Sequence, residues 1–206
     1  MADAERSELL KDLHADSPLE LVIRAHLWIE SRMIELLGDL VPFPDRIDFD
    51  RFTFPQKVAL VAAHGAIDQE DVPAYLKLNS MRNKVAHRLN AALSAEDEVA
   101  LINCLSPLLR HTSMVDEPKV AAASWPYALR SVLAAMVIHL EVRHKQLLKA
   151  RDEQRRVAAE VAQLVKELRE EREQREAARA AAGVPRVPTM RHEHGPDGVV
   201  KQPTDV

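Results

Sequence analysis

The sequence predicts an all-α fold: a helical bundle, then a long C-terminal helix with coiled-coil character, then a disordered tail. Three observations carry this expectation. Ala, Leu, Glu and Arg dominate a chain of 206 residues that holds only 5 Gly and 4 % aromatics, the composition of good helix formers. Apolar residues recur at steps of three and four, the period of an amphipathic helix. No stretch alternates apolar and polar residues as a half-buried strand does. Apolar residues make up 47 % of the chain, enough to supply a core.

In chain order, residues 1–16 form a lead-in with a short helix over 3–13. Residues 17–108 form the bundle. Its first long helix covers 18–40, where Ser17-Pro18-Leu19-Glu20 offers an N-cap, a proline at N1 and an acid at N3. Leu21, Arg24 and Ala25, Trp28, Arg32 and Leu36 mark one side, and Leu27, Ile34 and Leu37 widen the apolar band. Gly38 and Val41-Pro42-Phe43-Pro44 stop it. A loop over 42–54 drops Phe49, Phe52 and Phe54 onto the core. A second helix runs over 55–65 and ends at Gly65. A third begins near Asp71-Val72-Pro73, with Leu76, Met81, Val85 and Leu89 as its apolar side. A fourth starts at Ser94-Ala95-Glu96-Asp97. Residues 109–124 are a connector, and 125–182 are the long helix.

That last helix places Leu129, Leu133, Met136 and Leu140, then Leu147, Ala150, Val157, Val161, Leu164 and Leu168, at alternating three- and four-residue steps. This is a heptad seam, weakened where Arg143 and Gln154 occupy it. It predicts self-association through residues 145–170, against the alternative of a single charged helix held by i,i+4 ion pairs. Residues 183–206 hold four Pro and no packing pattern and read as the disordered tail. His192-Glu193-His194 lies in it without a preformed geometry for a metal.

The net charge of −4 argues against a general nucleic-acid coat. The charge is uneven, however. Residues 1–71 carry fifteen acids and seven bases, whereas residues 72–95 carry Lys77, Arg82, Lys84 and Arg88 and no acid. Cys104 is the single cysteine and sits in an apolar run, as a buried structural thiol does. It is compatible with a reducing cytoplasm. The N-terminus lacks a signal-peptide pattern. The longest apolar stretch, Val132 to Leu140, is interrupted by His139 and is too short to span a bilayer.

The basic island contains Arg82-Asn83-Lys84-Val85-Ala86-His87, the pattern in this chain that points most directly to chemistry. Self-cleavage of RNA by its 2′-hydroxyl needs a proton taken, a proton given and a charged phosphorane stabilised. Histidine titrates near neutrality and suits the first two tasks. Arginine matches phosphate oxygens with its planar fork. Asn83 would orient either partner or bond the sugar. No metal or other cofactor is required. The bland alternative is a solvated basic face with His87 satisfied in the core. Five residues apart on a regular helix, Arg82 and His87 point about 140° apart. The helix must loosen near Asn83, or a second copy must complete the pocket.

Arg82-Asn83, three residues and then His87 resemble the arginine–polar–spacer–histidine signature of the HEPN superfamily. The layout over about residues 17–108 is similar to mannitol-operon-repressor-like and uncharacterised HEPN branches. A long helix carries Glu30, a shorter one carries Lys57 near its start, and the signature closes a Leu-rich turn. The resemblance implies an all-α homodimer in which two protomers line one cleft, and often a metal-independent endoribonuclease. Many relatives of that kind are toxins or phage-defence effectors. It carries Arg82, Asn83 and His87 over as catalytic residues, with Glu30, a buttress for Arg82, and Lys84 in support. Leu89 stands where some toxin branches have a tyrosine, and the mannitol-repressor branch is regarded as regulatory. The expectation is thus a cytoplasmic ribonuclease acting on RNA. The alternative is a non-catalytic dimer that binds a protein partner through the C-terminal helix.

Overall fold

The computed structural model describes residues 3–15, 17–86, 92–121 and 125–183, with side chains from residue 7 onward. The expected His87, the Arg88 and Leu89 beside it, the tail from 184 and its His192-Glu193-His194 lie outside the described residues. All regular structure among the described residues is helical. The helices are α1 (Asp3–Asp12), α2 (Pro18–Leu40), α3 (Phe54–Ala63), α4 (Val72–Ala86), α5 (Ala95–Ile102), α6 (Pro107–Ser113), α7 (Pro118–Ala121) and α8 (Tyr127–Ala181). Two single 3-10 turns, Pro44–Arg46 and Phe49–Arg51, fill the α2–α3 connection. The fold is all-α with a long C-terminal helix, as the composition and periodicity predict. The connector over 109–124 is not plain loop: Pro107 and Pro118 each open a short helix, a position where proline's missing N–H costs nothing.

The chain divides inside α8. Residues Met1–Glu153 form one compact unit and Gln154–Val206 a second. The first unit is built on α2, α3 and α4, which pack against one another in all three pairings, with α1 against α2 and α5 against α4. Its core joins Leu21, Ala25, Ile29, Met33 and Leu37 of α2 to Val58 and Val61 of α3 and to Tyr75, Leu78 and Met81 of α4. Leu129, Leu133, Met136 and Leu140 belong to this same core and are fully buried. The first half of the heptad pattern in α8 is therefore core packing of the first unit.

Local signals decide the helix ends. Thr53 caps α3 in a reciprocal box with Gln56, satisfying two orphan donors. Gly65 closes α3 at φ +74, a left-handed conformation that costs a residue with a Cβ. Ser17 is the N-cap of α2 with Pro18 behind it, but its side chain makes no capping hydrogen bond. Glu20 instead accepts from Arg24 one turn on, at 2.5 Å. Arg24 and the Trp28 indole N–H both donate to Asp12, which seats α1 on α2.

The phase of two faces differs from the apolar count. Leu27 is 58 % exposed and Leu76 39 % exposed, although both are leucines within apolar bands. Their places in the interior are taken partly by polar groups: His26 on α2 and Lys57 on α3 are buried, and Asn79 on α4 reaches His26. Phe49 and Phe54 are buried and Phe52 packs beside them, as expected. Cys104 is half-buried against the core.

This phasing is testable by urea unfolding. Ile29→Ala should cost about 2–5 kcal/mol because it leaves a cavity at a fully buried site. Leu27→Ala, two residues away and on the opposite side of the same helix, should change stability by less than about 0.5 kcal/mol. Equal losses at the two positions would contradict the observed face of α2.

Candidate functional site

The middle of the α2–α3–α4 bundle holds a polar cluster, and each member arrives by helical spacing. On α3, Phe54, Lys57, Val58 and Val61 share one buried stripe, so Lys57 is carried inward with its apolar neighbours. It is 2 % exposed. Its ammonium donates to Glu30 Oε1 at 2.6 Å. Glu30 lies one turn beyond His26 on α2, and its other oxygen is 3.8 Å from His26 Nδ1. His26 stacks on Phe54 with ring centroids 4.2 Å apart. Its Nε2 lies 3.1 Å from Asn79 Oδ1 on α4. Three helices are thus tied by one cation, one anion, one imidazole and one amide.

Arg82 follows on α4, one turn past Asn79. It is half-buried, and its guanidinium donates to Asn83 Oδ1 at 3.2 Å. Among the described residues no carboxylate pairs with it. The contrast with other cations is direct: Arg24, Lys57, Lys84, Arg110 and Arg143 each meet an acid. Arg82 is close enough for its charge to act on His26. Burial pushes the His26 pKa below its ordinary value, and the Arg82 and Lys57 cations push the same way. The Asn79 hydrogen bond and the Glu30 charge oppose them.

The structure thus brings Arg82, Asn83 and Glu30 into one region, joined by His26, Lys57 and Asn79. Glu30 is held by Lys57 and faces His26, and it makes no hydrogen bond to Arg82. Lys84 goes elsewhere. It donates to Asp97 Oδ2 at 2.7 Å, the carboxylate that also accepts from the Ser94 backbone at the start of α5. Burial works to raise the Asp97 pKa, but the Lys84 ammonium and the Ser94 N–H hold it below the usual carboxylate range. Lys84 is a tether between α4 and α5. Helix α4 continues without loosening through Asn83 to Ala86, so the opening near Asn83 that would bring the Arg82 and His87 side chains together is not found within the described part of the helix.

His26 and Asn79 were not singled out in the sequence. The signal was available: His26 precedes Glu30 by four residues on a strongly amphipathic helix, and it follows Ala25 into the buried band. A second buried imidazole, His139 on α8, lies 3.4 Å from Asp71 just before α4. There burial lowers the His139 pKa, Asp71 and Asp68 oppose the shift and Arg143 adds to it. Among the described residues no group of three or more His, Cys, Asp or Glu side chains is placed to share a metal ion. No described helix is long and apolar enough to cross a membrane.

Two outcomes follow from this polar interior. Glu30→Ala removes the counter-charge of a buried ammonium and should destabilise the fold by about 1–3 kcal/mol. Adding Lys57→Met should recover most of that loss in a double-mutant cycle, whereas additive losses would mean the pair is not coupled. The two histidines set an acid limit. Their folded pKa values lie below the ordinary 6.5, so the unfolded chain binds protons first. Their contribution to stability is complete above 6.5 and is lost as pH falls through the folded values. Melting temperature should drop between about pH 8 and about pH 5, and His26→Gln with His139→Gln should flatten that drop. An unchanged slope in the double variant would refute the assignment.

Neither protein-family models nor curated proteins nor solved structures give a match to this chain.

Proposed function

We propose that this chain is a metal-independent endoribonuclease of the HEPN type, acting on RNA phosphodiesters in the cytoplasm. The observation that supports it is the charge state around Arg82. Lys57 and Glu30 offset one another, and His26 is held toward its neutral form. The guanidinium of Arg82 is therefore left in surplus in the stretch 72–95 that contains no acid. A half-exposed, uncompensated arginine on a rigid helix suits a phosphate oxygen.

In this reading Arg82 binds the scissile phosphate and stabilises the negative charge that grows on the phosphorane. Asn83, already bonded to Arg82, orients the guanidinium or the sugar. His87 takes the 2′-hydroxyl proton or returns one to the leaving 5′-oxygen. The products are a 2′,3′-cyclic phosphate and a 5′-hydroxyl end. Five residues apart on a regular helix two side chains point about 140° apart, so in this reading the His87 that serves a given Arg82 comes from a second copy of the chain, as the family resemblance implies. Toxin or defence roles follow from that resemblance alone.

A second reading is favoured by a different observation. Helix α8 beyond residue 153 exposes Val157, Val161, Leu164, Val165 and Leu168, a surface suited to protein association. On that reading the scaffold is a non-catalytic dimeric interaction protein.

Labelled RNA incubated with the full chain in EDTA separates the two. Cleavage should fall by roughly 10² to 10⁴-fold in His87→Ala and in Arg82→Ala, with folding and mass unchanged. His26→Gln should leave cleavage within a few-fold. Equal cleavage by wild type and both variants, or none by the wild type, defeats the ribonuclease proposal. RNA binding, where measured, should weaken with salt and lose about one unit of salt slope in Arg82→Ala.

A further inference from the structure

We propose that residues 157–168 of α8 pair in parallel with the same stretch of a second copy of this chain. The proposal does not rest on the ribonuclease reading. In the second unit every described residue is exposed. Five of them are aliphatic, at 42 to 65 % exposure. Val157, Val161, Leu164 and Leu168 follow one another at steps of four, three and four, so they form a single seam on one side of the helix, with Val165 adjoining it. A contiguous aliphatic seam left open to water on an otherwise charged helix marks an association surface.

The charges flanking the seam select the occupant. Glu160 and Glu167 lie on one flank, and Arg172 and Arg179 on the other. In a parallel pair, the flank of one helix that precedes each seam residue meets the opposite flank of its neighbour five residues on. Glu167 then faces Arg172 of the second copy, twice over by symmetry. In an antiparallel pair that keeps the aliphatics in contact, Val157 opposes Leu168 and Val161 opposes Leu164. Like flanks then meet, and Glu160 is brought against Glu167. The sequence is complementary to itself in one direction and repulsive in the other.

Within the seam, Val161 at the a position with Leu164 at d is the arrangement that favours two strands, while Val157 falls at d and Leu168 at a. Ala158, on the flank of the seam, keeps that side low. Polar Gln154 and Glu171 occupy the next seam positions on either side, and because Glu171 would meet Glu171 in a parallel pair, the paired stretch is confined to residues 157–168. Nothing must be broken at high cost: Glu167 accepts from Gln163 and Arg172 donates to Glu176, both exposed i,i+4 contacts of the kind worth only a few tenths of a kcal/mol.

Sedimentation equilibrium of the full chain tests this over a concentration series. Wild type should show a monomer–dimer equilibrium. Leu164→Ser with Leu168→Ser, both at exposed positions, should raise the dissociation constant by about 100-fold or more with the helical circular dichroism of the first unit retained. Glu167→Arg alone should weaken the dimer, and Glu167→Arg with Arg172→Glu should restore it. For direction, Val157→Cys in a Cys104→Ser background should form a disulfide-linked dimer on oxidation, because position 157 faces its own copy in the parallel pair and lies about 16 Å along the axis from it in the antiparallel one. A chain that stays monomeric throughout leaves the seam to another protein and overturns the proposal. A dimer indifferent to the double Ser variant overturns it too. Failure of the charge swap to rescue, with no cross-link at 157, overturns the parallel direction.

Discussion

Lys57 carries an ammonium group into a space closed by three helices, and the arrangement of the first unit follows from how that charge is accommodated. An isolated buried cation would cost several kcal/mol. Glu30 offsets that cost by accepting a hydrogen bond at 2.6 Å. Glu30 can do so only if α2 and α3 keep a fixed rotation relative to each other. The same rotation lays His26 on Phe54 and points its ring at Asn79, which fixes α4. Apolar packing among Ile29, Val61 and Leu78 supplies most of the driving force, since it is non-directional and large. The polar cluster supplies what packing lacks, a single admissible register among the three helices.

That register has an electrostatic result. With Lys57 and Arg82 cationic, Glu30 anionic and His26 held toward neutral, the end of the cluster near Arg82 carries net positive charge inside a chain of net charge −4. The buried imidazole matters to this balance. A charged His26 would carry the desolvation cost of its burial and face two cations, which the Asn79 hydrogen bond and the Glu30 charge offset only in part. Keeping the ring neutral leaves Arg82 as the cation presented outward. An anion arriving there meets a guanidinium already oriented by Asn83, so little side-chain entropy is lost on binding. The local surplus, more than the presence of an arginine as such, separates this position from Arg24 or Arg110, whose charges are consumed within the fold.

Much of the first unit was legible in the sequence because its signals are local. Ser94 with Asp97 before α5, Pro18 behind Ser17, and Gly65 after α3 each act within one turn of the helix they bound. The three phenylalanines at 49, 52 and 54 reached the core because so few other aromatics compete for it. The phase of α2 and α4 was less legible. Counting aliphatics draws Leu27 and Leu76 inward, while the fold turns His26 and Asn79 toward each other and leaves those leucines at the surface. A polar residue enters an interior only when a partner from a distant part of the chain meets it, and the pairing of residues 26 and 79, or 30 and 57, leaves no trace in local periodicity. The same reason hid the role of Lys84. Beside Arg82 in sequence, it looks like part of one basic site, yet Asp97, thirteen residues on, draws it to the start of α5.

Helix α8 shows how one pattern can serve two physical ends. From Leu129 to Leu168 the apolar residues keep nearly the same spacing. The first four are fully buried in the first unit's core, and those beyond residue 153 stand in water. Periodicity reports that a face is apolar and says nothing of what covers it. The composition around the face is what differs. Residues 127–140 contain one charged side chain, Arg130, because nearly every direction around that part of the helix meets protein. Residues 154–181 contain thirteen, arranged in exposed i,i+4 pairs such as Arg156 with Glu160 and Arg172 with Glu176. A helix clothed in this way is stable without being enclosed, so its residual aliphatic seam is not needed to hold the helix together. An apolar stripe that local stability does not require, flanked by charges that complement their own copy in one direction only, has its physical rationale in association.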